Sequence, residues 1–525
     1  MLVTLSSLIL VSLALRWKGI GVTNLWFDEG NSWYVAHLSW GALIDNIRAS
    51  PLGPLYFAFL GRWMAIFGDS EAALRTPSLI ASLLVIPITY AIGVRVFTRR
   101  AALVAAALLA MSPLHLYFAQ EARMYMPLTF MASLAALLYL RWRNATFAPH
   151  DDGATAPEAS WSGRPQSGAL LDLVSFTLVC TAMVHTNIVS VAFITALWVD
   201  TIILIVRHRR GAVGWFLANA FIAITLLIYA REVKVGVASA TQEWRGSPGF
   251  VSSLRALVEY PLVALHGVYF YPRDFPAAAA AFQQHGGMRD FLHMAVSFVV
   301  QPLALIVVVL LLGAAASGSL RGSRRVVTLA VVVPLLLGTV VSASHQLDLT
   351  RYFLFASPFL YLLLGHGVTR LFESEGEISG TAAFALLLLA SAIGIRATHR
   401  VQSRDSDYRP VAGAITRAPE RSHSIYVLPN LAAEPLAYYL RHDSDARIHA
   451  ARSAAEVTRA LFEAPKSPVW LVLDYRSPLY DEPPATLEAN LDAKLLQERY
   501  YAAGGGGVRL LLLRHAPVAI DAPSN

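Results

Sequence analysis

One cysteine, Cys180, stands among 525 residues, so neither an intramolecular disulfide nor a cysteine-based metal site can form. Charge is scarce: Asp, Glu, Lys and Arg make up 15% of the chain, against about 25% in an average soluble domain. That deficit excludes a disordered chain, and the composition fits neither collagen nor a coiled coil. No internal repeat is visible. Acidic residues are outnumbered, 35 against 42 Lys and Arg, for a net charge of +7. No basic stripe with interleaved aromatics accompanies the excess, which argues against nucleic acid as a partner. What the chain has in quantity is apolar residues, 56% of the total, in long unbroken runs. Mean hydropathy is +0.51. The sequence is that of a polytopic α-helical membrane protein.

A span takes roughly 17–25 mostly apolar residues. Runs of this kind lie at 1–15, 76–94, 101–119, 124–140, 170–184, 188–206, 212–230, 291–316, 326–343, 352–368 and 380–395, which predicts about eleven transmembrane helices. The first is read as a retained helix, because it lacks a basic start and a small-residue cleavage site. Basic clusters follow alternate runs: Arg95, Arg99 and Arg100; Arg141 and Arg143; Arg207, Arg209 and Arg210; Arg321, Arg324 and Arg325. Positive charge marks cytoplasmic loops, so these clusters share the cytoplasmic side and the loops at 16–75 and 231–290 face outward. Arg16 and Lys18 depart from the rule at the head of a long loop. Residues 150–167, rich in Gly, Ala, Pro and Ser, read as a flexible cytoplasmic linker.

Residues 1–395 thus form a transmembrane domain, and composition changes at 396. From there to 525, strand-like segments (424–429, 469–474, 508–514) alternate with helix-like ones (432–440, 454–462, 486–495). The expectation is a small extracytoplasmic α/β domain that covers the outer mouth and selects the acceptor, without a part in the chemical step. Gly504–Gly507 opens no helix and reads as a turn.

Chemistry-bearing residues gather at the outward end. Asp28 and Glu29 lie among Trp26, Phe27, Trp33 and Tyr34; aromatics desolvate a carboxylate and raise its affinity for a proton, as a general base requires. The alternative is that the acids cap a helix begun near Asn31 and the aromatics form an interface belt. Glu121, Arg123 and Tyr125 sit where two runs join through almost no loop; they either build a site or simply anchor the turn. Arg351-Tyr352 opens the tenth run after His345 and Asp348, Arg75 the second, and His185 ends the fifth. Asp200 lies inside the sixth run and is expected to pair within the bundle or snorkel. Opposite charges at a membrane surface suit a lipid-phosphate leaving group: arginines stabilise its developing charge and a carboxylate takes the proton of an attacking hydroxyl.

Trp26-Phe27-Asp28-Glu29 after the first helix resembles the catalytic loop of family 39 glycosyltransferases, of the GT-C fold. That group includes protein O-mannosyltransferases and is similar to lipid A aminoarabinose transferases. Ser50-Pro51-Leu52-Gly53-Pro54-Leu55-Tyr56, then Phe67-Gly68-Asp69-Ser70-Glu71 and Arg75, resembles the next block. Gln120-Glu121-Ala122-Arg123-Met124-Tyr125 is similar to a bacterial block, and Arg351-Tyr352 with Pro358 to a late Arg-Tyr helix start. The chain departs from the family's His-Pro-Pro at Ser50–Pro54 and carries no MIR-type insertion.

The resemblance implies an inverting glycosyltransferase of the cell membrane, bacterial by composition, using a polyprenyl-phosphate sugar and an extracytoplasmic lipid, glycan or protein acceptor. It implies Asp28 as base, with Glu29 positioning it. Arg123 and Arg351, joined by His185, hold the donor phosphate. Tyr125 orients the sugar. Glu121 organises the site, or binds a divalent metal together with Asp28; no other cofactor is implied. Two alternatives stand beside it. A transporter or lipid flippase would carry midplane sites and a repeat between halves. A non-catalytic scaffold would tolerate Asp28→Asn.

Overall fold

The computed structural model of the chain describes residues 2–48, 52–147, 167–208, 213–228, 249–266, 303–304, 306–313, 315–316, 320–345, 348–400, 407–418, 424–428, 430–451, 453–463, 468–474, 493–503 and 506–515. The helices begin with α1 (Leu2–Trp17), α2 (Phe27–His37), α3 (Trp40–Arg48), α4 (Pro54–Phe67), α5 (Glu71–Val96), α6 (Arg99–Ala110) and α7 (Pro113–Ala119). They continue as α8 (Tyr125–Phe147), α9 (Ser167–Thr186), α10 (Val191–His208), α11 (Val213–Ile228), α12 (Gly249–His266), α13 (Arg324–His345) and α14 (Leu349–Tyr352). The last are α15 (Ser357–Ser374), α16 (Glu377–Arg400), α17 (Tyr408–Thr416), α18 (Ala433–Leu440) and α19 (Ala454–Glu463). The strands are β1 (Ser424–Leu428), β2 (Arg447–Ala450), β3 (Val469–Asp474), β4 (Ala493–Ala503) and β5 (Gly506–His515). Two compact units emerge. The first holds Met1–Ile20, Ser39–Phe59 and Arg75–Arg400; the second holds Gly21–Leu38, Leu60–Leu74 and Val401–Asn525.

The first unit is a helical bundle. Among the described residues, five helices are long and apolar enough to cross a membrane, six if α6 and α7 count as one bent span, and three more are apolar but shorter. Leu171, Leu178, Ile202, Val206, Leu336 and Val340 are exposed, an outer face that only lipid would cover favourably. The chain is a multi-pass membrane protein. Of the span expected at 291–316, residues 291–302 lie outside the described residues and 303–304, 306–313 and 315–316 are helical. Of the linker expected at 150–167, Ser167 opens α9 and the rest lies outside the described residues; the loop expected at 231–290 contains α12 at Gly249–His266, and its residues 231–248 and 267–290 lie outside them.

Two expected spans are interrupted. The run at 101–119 bends by 54° between α6 and α7. Pro113 lacks the N–H that would continue α6, and Ser112 instead caps α7 by accepting from the His115 amide. The break leaves carbonyls at the end of α6 without helical partners. The Arg16 guanidinium, fully buried, donates to Ala110 O at 2.8 Å and Leu109 O at 3.2 Å. Arg16 is therefore an internal cap rather than a loop charge. The run opening at 352 is likewise preceded by a separate turn: Asp348 caps α14, which carries Arg351 and Tyr352, and α15 begins only at Ser357.

Asp200 pairs within the bundle. Its carboxylate meets Arg143 Nε at 3.0 Å, Arg325 Nε at 2.6 Å and the donating Tyr139 hydroxyl at 2.7 Å. One buried acid on α10 thus pairs an arginine of α8 with one in the first turn of α13. Elsewhere α15 meets α6 through small residues: a Cβ on Gly365 would lie 2.5 Å from Ala101 O, so only glycine admits this approach.

The second unit centres on a five-stranded sheet in the order β2-β1-β3-β5-β4. β1 pairs parallel with β2 and β3, while β5 runs antiparallel to β3 and β4. Val469–Asp474 is buried throughout, as a central strand covered on both faces requires. Alternation divides the strands between two apolar layers. Trp470, Val472, Leu510 and Leu512 face Tyr408, Val411 and Leu436 of α17 and α18; Leu471, Leu473, Leu511 and Leu513 face Val457 of α19. The helix expected at 486–495 is corrected where described: residues 493–495 belong to β4. Its Lys-Leu-Leu-Gln-Glu stretch favours helix locally, but the ladder to β5 supplies the partners that decide. β2 was not expected; it is a short, mostly exposed edge strand. Of the turn expected at Gly504–Gly507, Gly506 and Gly507 instead open β5, where Gly506 pairs with Ala503, and residues 504 and 505 lie outside the described residues.

Candidate active site

Residues 120–124 connect α7 to α8. The Gln120 amide donates to the carbonyls of Arg16 at 2.7 Å and Lys18 at 2.8 Å, fastening the turn to the end of α1. Ser78 of α5 donates to Arg123 O at 3.1 Å. Gln120, Glu121, Arg123 and Tyr125 are all buried, so this is no solvated loop. Tyr125 opens α8, and its ring is a shared surface. The Arg123 guanidinium carbon lies 5.7 Å from the ring centroid and that of Arg351 lies 5.9 Å away, both within cation–π range. Phe118 and Tyr352 meet the same ring edge-on at 5.6 and 5.8 Å. The two guanidiniums thus lie beside one ring. Their planar forks match a phosphate.

Arg75 donates to Ile20 O at 2.8 Å and so acts on the backbone leaving α1. His185 lies in the last turn of α9. Its carbonyl would be 2.0 Å from a Cβ on Gly53, and the Gly53 amide donates to Thr186 O at 3.3 Å. The Ser50–Pro54 block is therefore docked, over its described residues, by backbone against the end of α9.

Asp28 and Glu29 belong to the second unit. The helix expected near Asn31 begins at Phe27, so both acids lie within its first turn rather than capping it. Glu29 is 1% exposed, whereas Asp28 is partly open. Phe27 packs against the apolar layer of α17 and α18. Gly30 abuts α18 so closely that a Cβ would lie 2.6 Å from Pro435 N. Asn31 Nδ2 donates to Glu434 Oε1 at 3.2 Å. The backbone amide of Leu25 donates to the Tyr439 hydroxyl at 2.9 Å.

Three further residues surround α2. Asp69 accepts from Trp33 Nε1 at 3.1 Å and meets Arg441 Nε at 3.0 Å, and its carbonyl accepts from the Tyr438 hydroxyl at 3.0 Å. Arg441 also lies over the Tyr438 ring at 4.0 Å. Burial, with Glu71 nearby, pushes the Tyr438 hydroxyl well above its usual range, so it stays a donor. Asp69 sits in the Phe67–Glu71 block already visible in the sequence; its partners on α18 carry no sequence signal. Among the described residues, no three His, Cys, Asp or Glu side chains gather as metal ligands.

Residues 50–146 match the family model described as dolichyl-phosphate-mannose-protein mannosyltransferase. A comparison with curated proteins finds no match. The fold is similar to ArnT from Cupriavidus metallidurans bound to undecaprenyl phosphate, at 12% identity over 96% of this chain and 97% of that one, with a TM-score of 0.56. It is also similar to the Archaeoglobus fulgidus oligosaccharyltransferase tethered with an acceptor peptide, at 12% identity over 98% and 74%, TM-score 0.54. The archaeal oligosaccharyltransferase AglB from the same organism, in complex with an inhibitory peptide and a dolichol-phosphate, matches at 13% identity over 100% and 75%, TM-score 0.52.

Proposed function

The chain has the GT-C fold of these glycosyltransferases, and we propose that it transfers a sugar from a polyprenyl-phosphate donor to an extracytoplasmic acceptor hydroxyl, with inversion. The observation that carries this reading is the pair of arginines at Tyr125, one of them inside the segment that matches the mannosyltransferase model. Two solved proteins of the same fold hold a polyprenyl or dolichyl phosphate. Arg123 and Arg351, with His185, bind the donor phosphate, and Tyr125 orients the sugar. The acceptor oxygen attacks the anomeric carbon as the bond from that carbon to the phosphate oxygen breaks. The acceptor proton passes to Asp28, and the lipid phosphate leaves with the electron pair, its charge met by the arginines. Glu29 positions Asp28, and Glu121 organises the turn that presents Arg123. A transporter would use the carbonyls freed at a broken helix to coordinate its ion; here Arg16 occupies those at the end of α6.

The test is transfer of label from radiolabelled polyprenyl-phosphate sugars by purified protein. Arg123→Ala and Arg351→Ala are each expected to lower turnover by about 10²–10³-fold, with only partial rescue by Lys, which lacks the planar fork. Normal donor binding and turnover in both alanine variants would place the phosphate elsewhere.

A further inference from the structure

The segment between α4 and α5 is built to present one carboxylate. Gly68 adopts φ +79 and ends α4 at Phe67, a conformation that favours glycine. Two residues on, the Ser70 hydroxyl accepts from the Ala73 amide at 3.2 Å and starts α5. Asp69 is the residue left between the two helix ends, and its side chain is spent on neither cap. It reaches instead to Trp33, on α2 one turn beyond Glu29, and to Arg441 at the end of α18. Tyr438 adds a bond to the Asp69 carbonyl and packs edge-on against Trp33, ring centroids 5.4 Å apart. One acid therefore ties the helix that carries Asp28 to the C-terminal α/β fold.

Resting on the reading of Asp28 as the base, we infer that Asp69 is a positioning residue: through Trp33, Arg441 and Tyr438 it fixes the rotation of α2, and with it the direction in which Asp28 accepts the proton. Trp33 lies five residues after Asp28 on α2, so the Trp33–Asp69 bond sets the angle about the helix axis. The close approach of Gly30 to Pro435 sets its distance from α18. Phe27 in the apolar layer sets the third constraint. Beside the Asn31–Glu434 bond, the Asp69 cluster is the polar and directional contact of α2 that also reaches the end of α18.

The experiment measures turnover and donor KM in the full-length protein with radiolabelled polyprenyl-phosphate hexose and pentose donors. Asp69→Asn keeps the shape and removes the charge. It is expected to lower kcat by about 10–100-fold, the scale of a small misplacement of a reacting group, while donor KM stays within about twofold. Asp69→Glu should restore part of the rate. The decisive comparison is Asp69→Asn made in an Asp28→Asn background: a residue acting through Asp28 has nothing left to lose there, so the double variant should equal Asp28→Asn alone. A further multiplicative loss in the double variant, or a normal kcat in Asp69→Asn, overturns the inference while leaving the base assignment standing. If Asp28→Asn itself turns over normally, the base assignment and this inference both fall.

Discussion

Asp28 and Glu29 are neighbours with different surroundings, and the difference fits the roles proposed for them. Glu29 is buried in the first turn of α2, whereas Asp28 is partly open. A base must reach an acceptor that arrives from outside, which Asp28 alone of the two can do. Asp28→Asn is therefore expected to lower turnover by about 10²–10⁴-fold, the usual contribution of general base catalysis, with donor binding retained. Equilibrium binding of polyprenyl phosphate beside steady-state kinetics reads both quantities, and near-normal turnover in a folded variant would refute the role. At this scale the sequence was most informative. Of the residues named from it, Glu29, Glu121 and Arg123 are buried, and Arg123, Tyr125 and Arg351 come together around one ring. Asp69, Tyr438 and Arg441 were not legible as a cluster, because residues far apart in the chain reveal their contact only once folded.

Among the elements, α2 shows how a helix can be held by what it lacks. An alanine in place of glycine inside a helix ordinarily stabilises by about 1 kcal/mol. At Gly30 the sign should reverse, because the added Cβ meets the Pro435 backbone, which cannot swing aside as a flexible side chain would. Gly30→Ala is expected to lower the midpoint of thermal unfolding and to reduce turnover by about 10–100-fold. Differential scanning fluorimetry with the transfer assay measures both, and an unchanged midpoint with full turnover would show that α2 and α18 separate freely. The interrupted spans mark the limit of hydropathy as a guide. Apolarity runs unbroken through 101–119, and only Ser112-Pro113 signals a break; the arginine that caps it comes from a different helix. β4 was hidden for the opposite reason, since its residues favour helix and its strand character comes from pairing with β5.

For the molecule as a whole, composition and compactness divide the chain differently. Composition changes near residue 396, whereas the second compact unit also takes in Gly21–Leu38 and Leu60–Leu74. The helix carrying Asp28 thus packs with the C-terminal fold. The first unit has its own fixed point at Asp200. Asp200→Ala would leave Arg143 and Arg325 buried together without their shared acid, a change that costs about 3–5 kcal/mol when a buried pair loses one partner. A clear fall in the detergent unfolding midpoint is expected, larger than that from Tyr139→Phe; equal midpoints would show that the arginines find other partners.

The scattered second unit also bears on how the protein is made. Residues 75–400 separate Leu74 from Val401. At translation rates of about 5–20 residues per second, that interval lasts roughly 15–65 s. Throughout it, α2 and the Asp69 turn have been synthesised but α18 has not. The nascent chain carries Asp28, the proposed base, on a helix whose apolar Phe27 and Trp33 are still uncovered. Until α18 is made, the chain is therefore exposed to proteolysis at these same few residues.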